Sequence, residues 1–96
     1  MTAGINTRIK ELRLENELTM DMLATDINAR FELEKPINKS MISRWESGDN
    51  EPSLENAKYL SIYFNVSVDY LIGLTDVRTP SRLLAYAKKL KGGDPE

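Results

Sequence analysis

Cysteine and histidine are both absent from the 96 residues. Their absence removes disulfides, thiol nucleophiles, imidazole bases and every thiolate or imidazole metal ligand together. No glycine-rich phosphate loop or paired-carboxylate pattern stands in their place, so the sequence speaks against an enzyme and implies no cofactor. Long apolar runs are missing too: nothing approaches the roughly 20 residues that span a bilayer. Met1 to Ile9 has neither a basic cluster nor a continuous apolar stretch of the secretory kind, and a cytoplasmic protein without membrane contact is expected. Cations are scarce, with 13 Lys and Arg against 15 Asp and Glu. A net charge of −2 argues mildly against a nucleic-acid partner, so the placement of charge has to carry that question.

What remains is an ordinary globular composition, 41% hydrophobic and 29% charged, in a chain long enough for one modest core. The periodicity is helical throughout, and an all-α fold is expected. Ile5, Ile9 and Leu12 recur at helical spacing and predict a first helix over about 6–16, with Arg8, Lys10, Glu11 and Glu15 mostly on its wet side. Thr19 is a suitable N-cap for a second, about 20–32, with Leu23, Ala24, Ile27 and Phe31 on one face. Pro36 interrupts the pattern and makes Leu33 to Ile37 a connector. Asn38 caps a short third helix, about 39–47, which Gly48 ends in a left-handed turn. Its apolar Ile42 and Trp45 leave Lys39, Ser40, Ser43 and Arg44 together on a polar face. Ser53 opens a fourth helix, about 54–65, striped by Leu54, Ala57, Leu60 and Phe64. Ser67 caps a fifth, about 68–72, whose Val68, Leu71 and Ile72 are expected to face inward before Gly73.

Two stretches are more specific than any periodicity: Ile42-Ser43-Arg44-Trp45-Glu46-Ser47-Gly48, followed by Pro52-Ser53-Leu54, and then Val66-Ser67-Val68-Asp69-Tyr70-Leu71-Ile72-Gly73. At this separation they resemble the lambda-repressor-like, or Cro/repressor, family of helix-turn-helix regulators. The resemblance covers about Thr7 to Leu74. It implies a compact five-helix domain whose third helix lies in the major groove. It also implies a sequence-specific regulator of the phage-repressor type, dimeric on a palindromic double-stranded operator. Position by position, Lys39, Ser40, Ser43 and Arg44 fall on the family's base-contacting positions. Thr19, Met20, Asn38, Ser47 and Asn50 fall where the family approaches phosphates, at helix N-termini and the turn after the third helix. Arg13 and Glu46 fall where the pattern implies a half-buried ion pair. A protein anti-repressor or a further C-terminal domain would be an additional partner.

On this reading residues 1–75 are the DNA-binding domain. Residues 76–96 form a linker, an additional basic amphipathic helix over about 80–91 and a short tail. Arg78, Arg82, Lys88, Lys89 and Lys91 stand between residues 77 and 93 without an acid, open to three readings: a wet helix face, an arm along the DNA backbone, or a dimer-forming helix. The stripe Leu83, Leu84, Ala87 and Leu90, which the five-helix body does not need for its own core, favours dimerisation over packing back on its own domain or disorder. A rival function is a protein-interaction module of the same fold, such as an antitoxin. The acidic turn Asp49-Asn50-Glu51 and the long connector fit it. Affinity insensitive to salt would mark that module, and steep salt dependence a phosphate binder.

Overall fold

The computed structural model describes residues 4–79, and within them every regular element is an α-helix. In chain order these are α1 (Ile5–Glu15), α2 (Met20–Phe31), α3 (Lys39–Ser47), α4 (Leu54–Phe64) and α5 (Val68–Leu71). Four of the five open with a side-chain cap. The oxygens of Thr19, Asn38, Ser53 and Ser67 accept from the backbone N–H of Met22, Met41, Asn56 and Tyr70. Each such bond satisfies a donor the helix cannot, and is worth about 1 kcal/mol. Gly48 ends α3 at φ 87°, a conformation that strains any residue with a side chain. No helix among the described residues is long and apolar enough to cross a membrane.

The core gathers one face from each helix. Ile9, Leu23, Ile27, Ile42, Leu60 and Leu71 are its largest fully buried side chains, each contributing about 1.5–3 kcal/mol relative to exposure. Leu12, Trp45 and Tyr70 complete it, and α3 packs against both α1 and α2. Ile37, in the connector, is buried as well.

Three expectations of burial are corrected. Arg8 is not on the wet side of α1 but buried, with 4% exposure. It stands three residues after Ile5 and four before Leu12, so helical geometry puts it on the apolar stripe. Leu54 is 72% exposed, because the stripe of α4 runs off the end of the core at its first residue, while Ser61, two turns further along the same face, is buried. Ile72 is 41% exposed while Tyr70 is buried. The single turn of α5 ends at Leu71 and turns Ile72 outward.

Buried Arg8 is fully engaged. Its guanidinium donates to Tyr70 O at 3.1 Å and Thr75 O at 3.4 Å, meets Asp76 Oδ1 at 2.6 Å, and lies 3.8 Å over the Tyr70 ring centre. Arg78 approaches the same ring, donating to the Tyr70 hydroxyl at 3.0 Å and pairing with Glu15 at 2.6 Å. Residues 75–78 are thereby fastened to α1. The expected C-terminal helix over about 80–91, with Leu83, Leu84, Ala87 and Leu90, lies outside the described residues.

Candidate nucleic-acid interface

The third helix is amphipathic over only nine residues, and its surroundings fix its pose. Ile42 and Trp45, three apart, insert into the core at 0% and 4% exposure. The opposite face carries Lys39, Ser40, Ser43 and Arg44, all exposed. Their side chains make no hydrogen bond or ion pair with the described residues, so one helical face offers two cations and two hydroxyls to whatever approaches it.

An ion pair ties α3 to α1. Arg13 Nε donates to Glu46 Oε2 at 2.6 Å and Nη2 to Oε1 at 3.0 Å, a two-pronged contact that sets orientation as well as distance. The two side chains are 10% and 4% exposed. The third donor of Arg13, Nη1, reaches Leu18 O at 2.8 Å, so the same guanidinium also shapes the turn between α1 and α2. The hydrogen bond to Glu46 outweighs burial and raises the Arg13 pKa above its ordinary value. Glu46 thus belongs to the scaffold, and its charge is compensated within the fold.

The connector is pinned by a residue that sequence reasoning missed. The Asn28 side chain accepts from Ile37 N and donates to Ile37 O, both at 2.8 Å, as a neighbouring strand would. A mid-helix Asn nine residues before a buried Ile was the available signal, since such an amide favours backbone partners over helix interiors. The pair fixes the backbone one residue before the Asn38 cap, whose Oδ1 accepts from Met41 N at 2.9 Å. The α3 N-terminus is therefore presented rigidly although the connector is long.

The remaining candidates divide by chemistry. Thr19 is exposed and occupied in capping α2, while Met20 is half-buried against the core, so its backbone amide is what it can offer an anion. Ser47 Oγ donates to Arg44 O at 3.1 Å and accepts from Asp49 N at 3.4 Å, and Asn50 N donates to Arg44 O at 3.2 Å. These bonds order the turn after α3, which leaves the exposed Asn50 amide beside the acidic Asp49 and Glu51. Among the described residues no group of three or more His, Cys, Asp or Glu could hold a metal ion.

Two helices joined by a pinned connector, with the second presenting a polar face outward from a shared core, define a helix-turn-helix protein. The helix-turn-helix family model matches residues 9–71, and the chain belongs to this Cro/C1-type family. It is 36% identical over 73 residues to an uncharacterized HTH-type transcriptional regulator, YobD, of Bacillus subtilis, covering 76% of this chain and 58% of that protein. It is 31% identical over 67 residues to the HTH-type transcriptional activator BcrR of Enterococcus faecalis, covering 70% of this chain and 29% of that one. In each case the chain spans less than two thirds of the relative's length.

Proposed function

We propose that this chain is a DNA-binding transcriptional regulator that reads a specific double-stranded site through α3. The observation that carries the reading is the outward face of Lys39, Ser40, Ser43 and Arg44, exposed on a helix whose other face is locked into the core. Family membership and the names of both relatives support it. Arg44 donates two bonds to guanine O6 and N7, a contact worth about 1–3 kcal/mol of discrimination. Ser40 and Ser43 read neighbouring base edges, and Lys39 reaches a base or a phosphate. Thr19, Met20 and Asn38, through the free amides at the starts of α2 and α3, hold phosphates together with Ser47 and Asn50. Two copies, joined through Leu83, Leu84, Ala87 and Leu90, bind a palindromic operator with their third helices about 34 Å apart.

We assign repression by occupancy, as in phage repressors, working in the cytoplasm. The Enterococcus relative is named an activator, so a reporter with the site moved from over the promoter to upstream of it distinguishes the two modes. The central experiment is selection of bound fragments from random duplexes, followed by affinity measurements at one fixed salt concentration. A palindromic site is expected, and Arg44→Ala should lose preference at one base pair per half-site while keeping the fold. Equal operator affinity for wild type and Arg44→Ala would overturn the assignment of α3, and salt-independent binding would favour a protein partner for this face.

A further inference from the structure

Leu74 and Val77 are 71% and 56% exposed, so the stretch after α5 buries no large apolar side chain on its way to Arg78. Residues 75–78 are nevertheless gripped from α1 and α5. Buried Arg8 holds Thr75 O and the Asp76 carboxylate. Ser67 N donates to Arg78 O at 2.9 Å. The Arg78 guanidinium donates to the Tyr70 hydroxyl at 3.0 Å and to both oxygens of Glu15, at 2.8 and 2.6 Å. The stretch is therefore a strap fastened by polar bonds, not an extension of the core.

The grip continues to α3. Glu15, which holds Arg78, and Arg13, which holds Glu46, both lie in the last turn of α1. Two two-pronged ion pairs thus run in series from α3 through the end of α1 to the strap, and each fixes orientation as well as distance. Thr79 follows at once, then Pro80, whose ring fixes its own φ. Leu83, where the stripe assigned to self-association begins, stands five residues beyond Arg78. Little free chain separates the anchored exit from that stripe.

We propose that Arg78 and Glu15 are positioning residues that set the spacing of the two half-sites. The strap holds the point where the chain leaves the body at a fixed place relative to α3, so copies joined beyond that point accept one separation of their third helices. The inference rests on the self-association and the palindromic site proposed above, and adds what determines the distance between half-sites. One inserted base pair moves a half-site by about 3.4 Å and turns it by about 34°. A flexible stretch of five residues has an r.m.s. span of about 12 Å and absorbs such a displacement. Residues 75–79, while the strap is fastened, pass it on as strain.

The test uses the full chain, the palindromic duplex recovered by the selection above with its centre lengthened or shortened by one and two base pairs, and a duplex carrying one half-site. At one fixed salt concentration, wild type is expected to lose affinity at least about tenfold for one added base pair. Joint Glu15→Ala and Arg78→Ala should cut that loss to about threefold, because a looser joint keeps the second half-site within reach, with helical content and half-site affinity unchanged. Inserting Gly-Ser-Gly-Ser-Gly between Thr79 and Pro80, which leaves the clasp and the body intact, should do the same. A wild type that tolerates every spacing, or an insertion that leaves the loss as it was, would overturn the proposal. Tolerance gained by the insertion but not by the double variant would overturn the roles of Arg78 and Glu15. Half-site affinity that falls as far as full-site affinity in the double variant would make Arg78 a phosphate contact and overturn its positioning role. Selected sites without two-fold symmetry would overturn the self-association reading itself, and this proposal with it.

Discussion

Replacing Glu46 by glutamine keeps the shape of the side chain and removes the charge that Arg13 faces. Both side chains are at least nine-tenths buried, at 10% and 4% exposure, so little water is at hand to solvate the guanidinium left behind. Breaking a buried pair from one side costs about 3–5 kcal/mol, against about 0–1 kcal/mol for an exposed one. Glutamine retains one acceptor, which puts Glu46→Gln near the lower bound, about 3 kcal/mol. Arg13→Met should cost more, because it also strips Leu18 O of the donor at 2.8 Å and strands a buried carboxylate. A domain of this size is stable by roughly 4–11 kcal/mol, so either variant loses a large share, with a fall in Tm of about 12–24 °C for the milder one. Urea melts of both single variants and of the double variant supply the assay. The double variant removes both charges and should be more stable than the sum of the singles requires by about 2 kcal/mol or more. Additivity within about 0.5 kcal/mol would mean that the two groups do not act on each other, and the reasoning would fail.

Three further outcomes follow from other contacts. Lys39→Ala, if its ammonium holds a phosphate, should weaken all duplexes alike and make the slope of log affinity against log salt shallower by about one per site; an unchanged slope assigns Lys39 to a base. Asn28→Ala leaves the backbone N–H and C=O of buried Ile37 without their 2.8 Å partners. It should cost about 2–3 kcal/mol, and hydrogen exchange at Ile37 should speed up before that at Leu60. The Arg78 hydrogen bond holds the Glu15 carboxyl below its ordinary pKa. Its contribution is therefore present above the ordinary carboxylate range and is lost as pH falls through the lowered value. Glu15→Gln should flatten the acid limb of the stability curve, and an acid limb identical to wild type would show the pair to be inert.

The parts of the fold that could be read in advance are those with local causes. Thr19, Asn38, Ser53 and Ser67 each bond an amide three residues ahead, and Gly48 needs only its own backbone to stop α3, so five residues of text suffice for each. The polar face of α3 is equally local, since Ile42 and Trp45 determine which residues are left outside. What escaped was set by distant partners. Arg8 reads as a solvent-facing charge unless Tyr70 and Asp76 are known to stand over it, 62 and 68 residues away. The exposure of Leu54 and Ile72 depends on where the core ends, which periodicity along one helix does not encode. Asn28 is intermediate: its residue type announces a backbone partner, and only the path of the connector identifies Ile37.

The clasp of Arg8 on Tyr70 bears on the order in which the molecule assembles. Asn28 and Ile37 are separated by 9 residues, Arg8 and Tyr70 by 62. Closing the longer loop costs about 1.7 kcal/mol more in chain entropy. The pairing of α2 with α3 can therefore form early, whereas the two ends of the described chain meet only after the helices between them are in place. Retracing that order, unfolding is expected to part the ends first, freeing Tyr70 and residues 75–78 while α2 and α3 remain joined. Slow local opening of the chain ends should accordingly precede global unfolding, with Tyr70 reporting the first step and Trp45 the second.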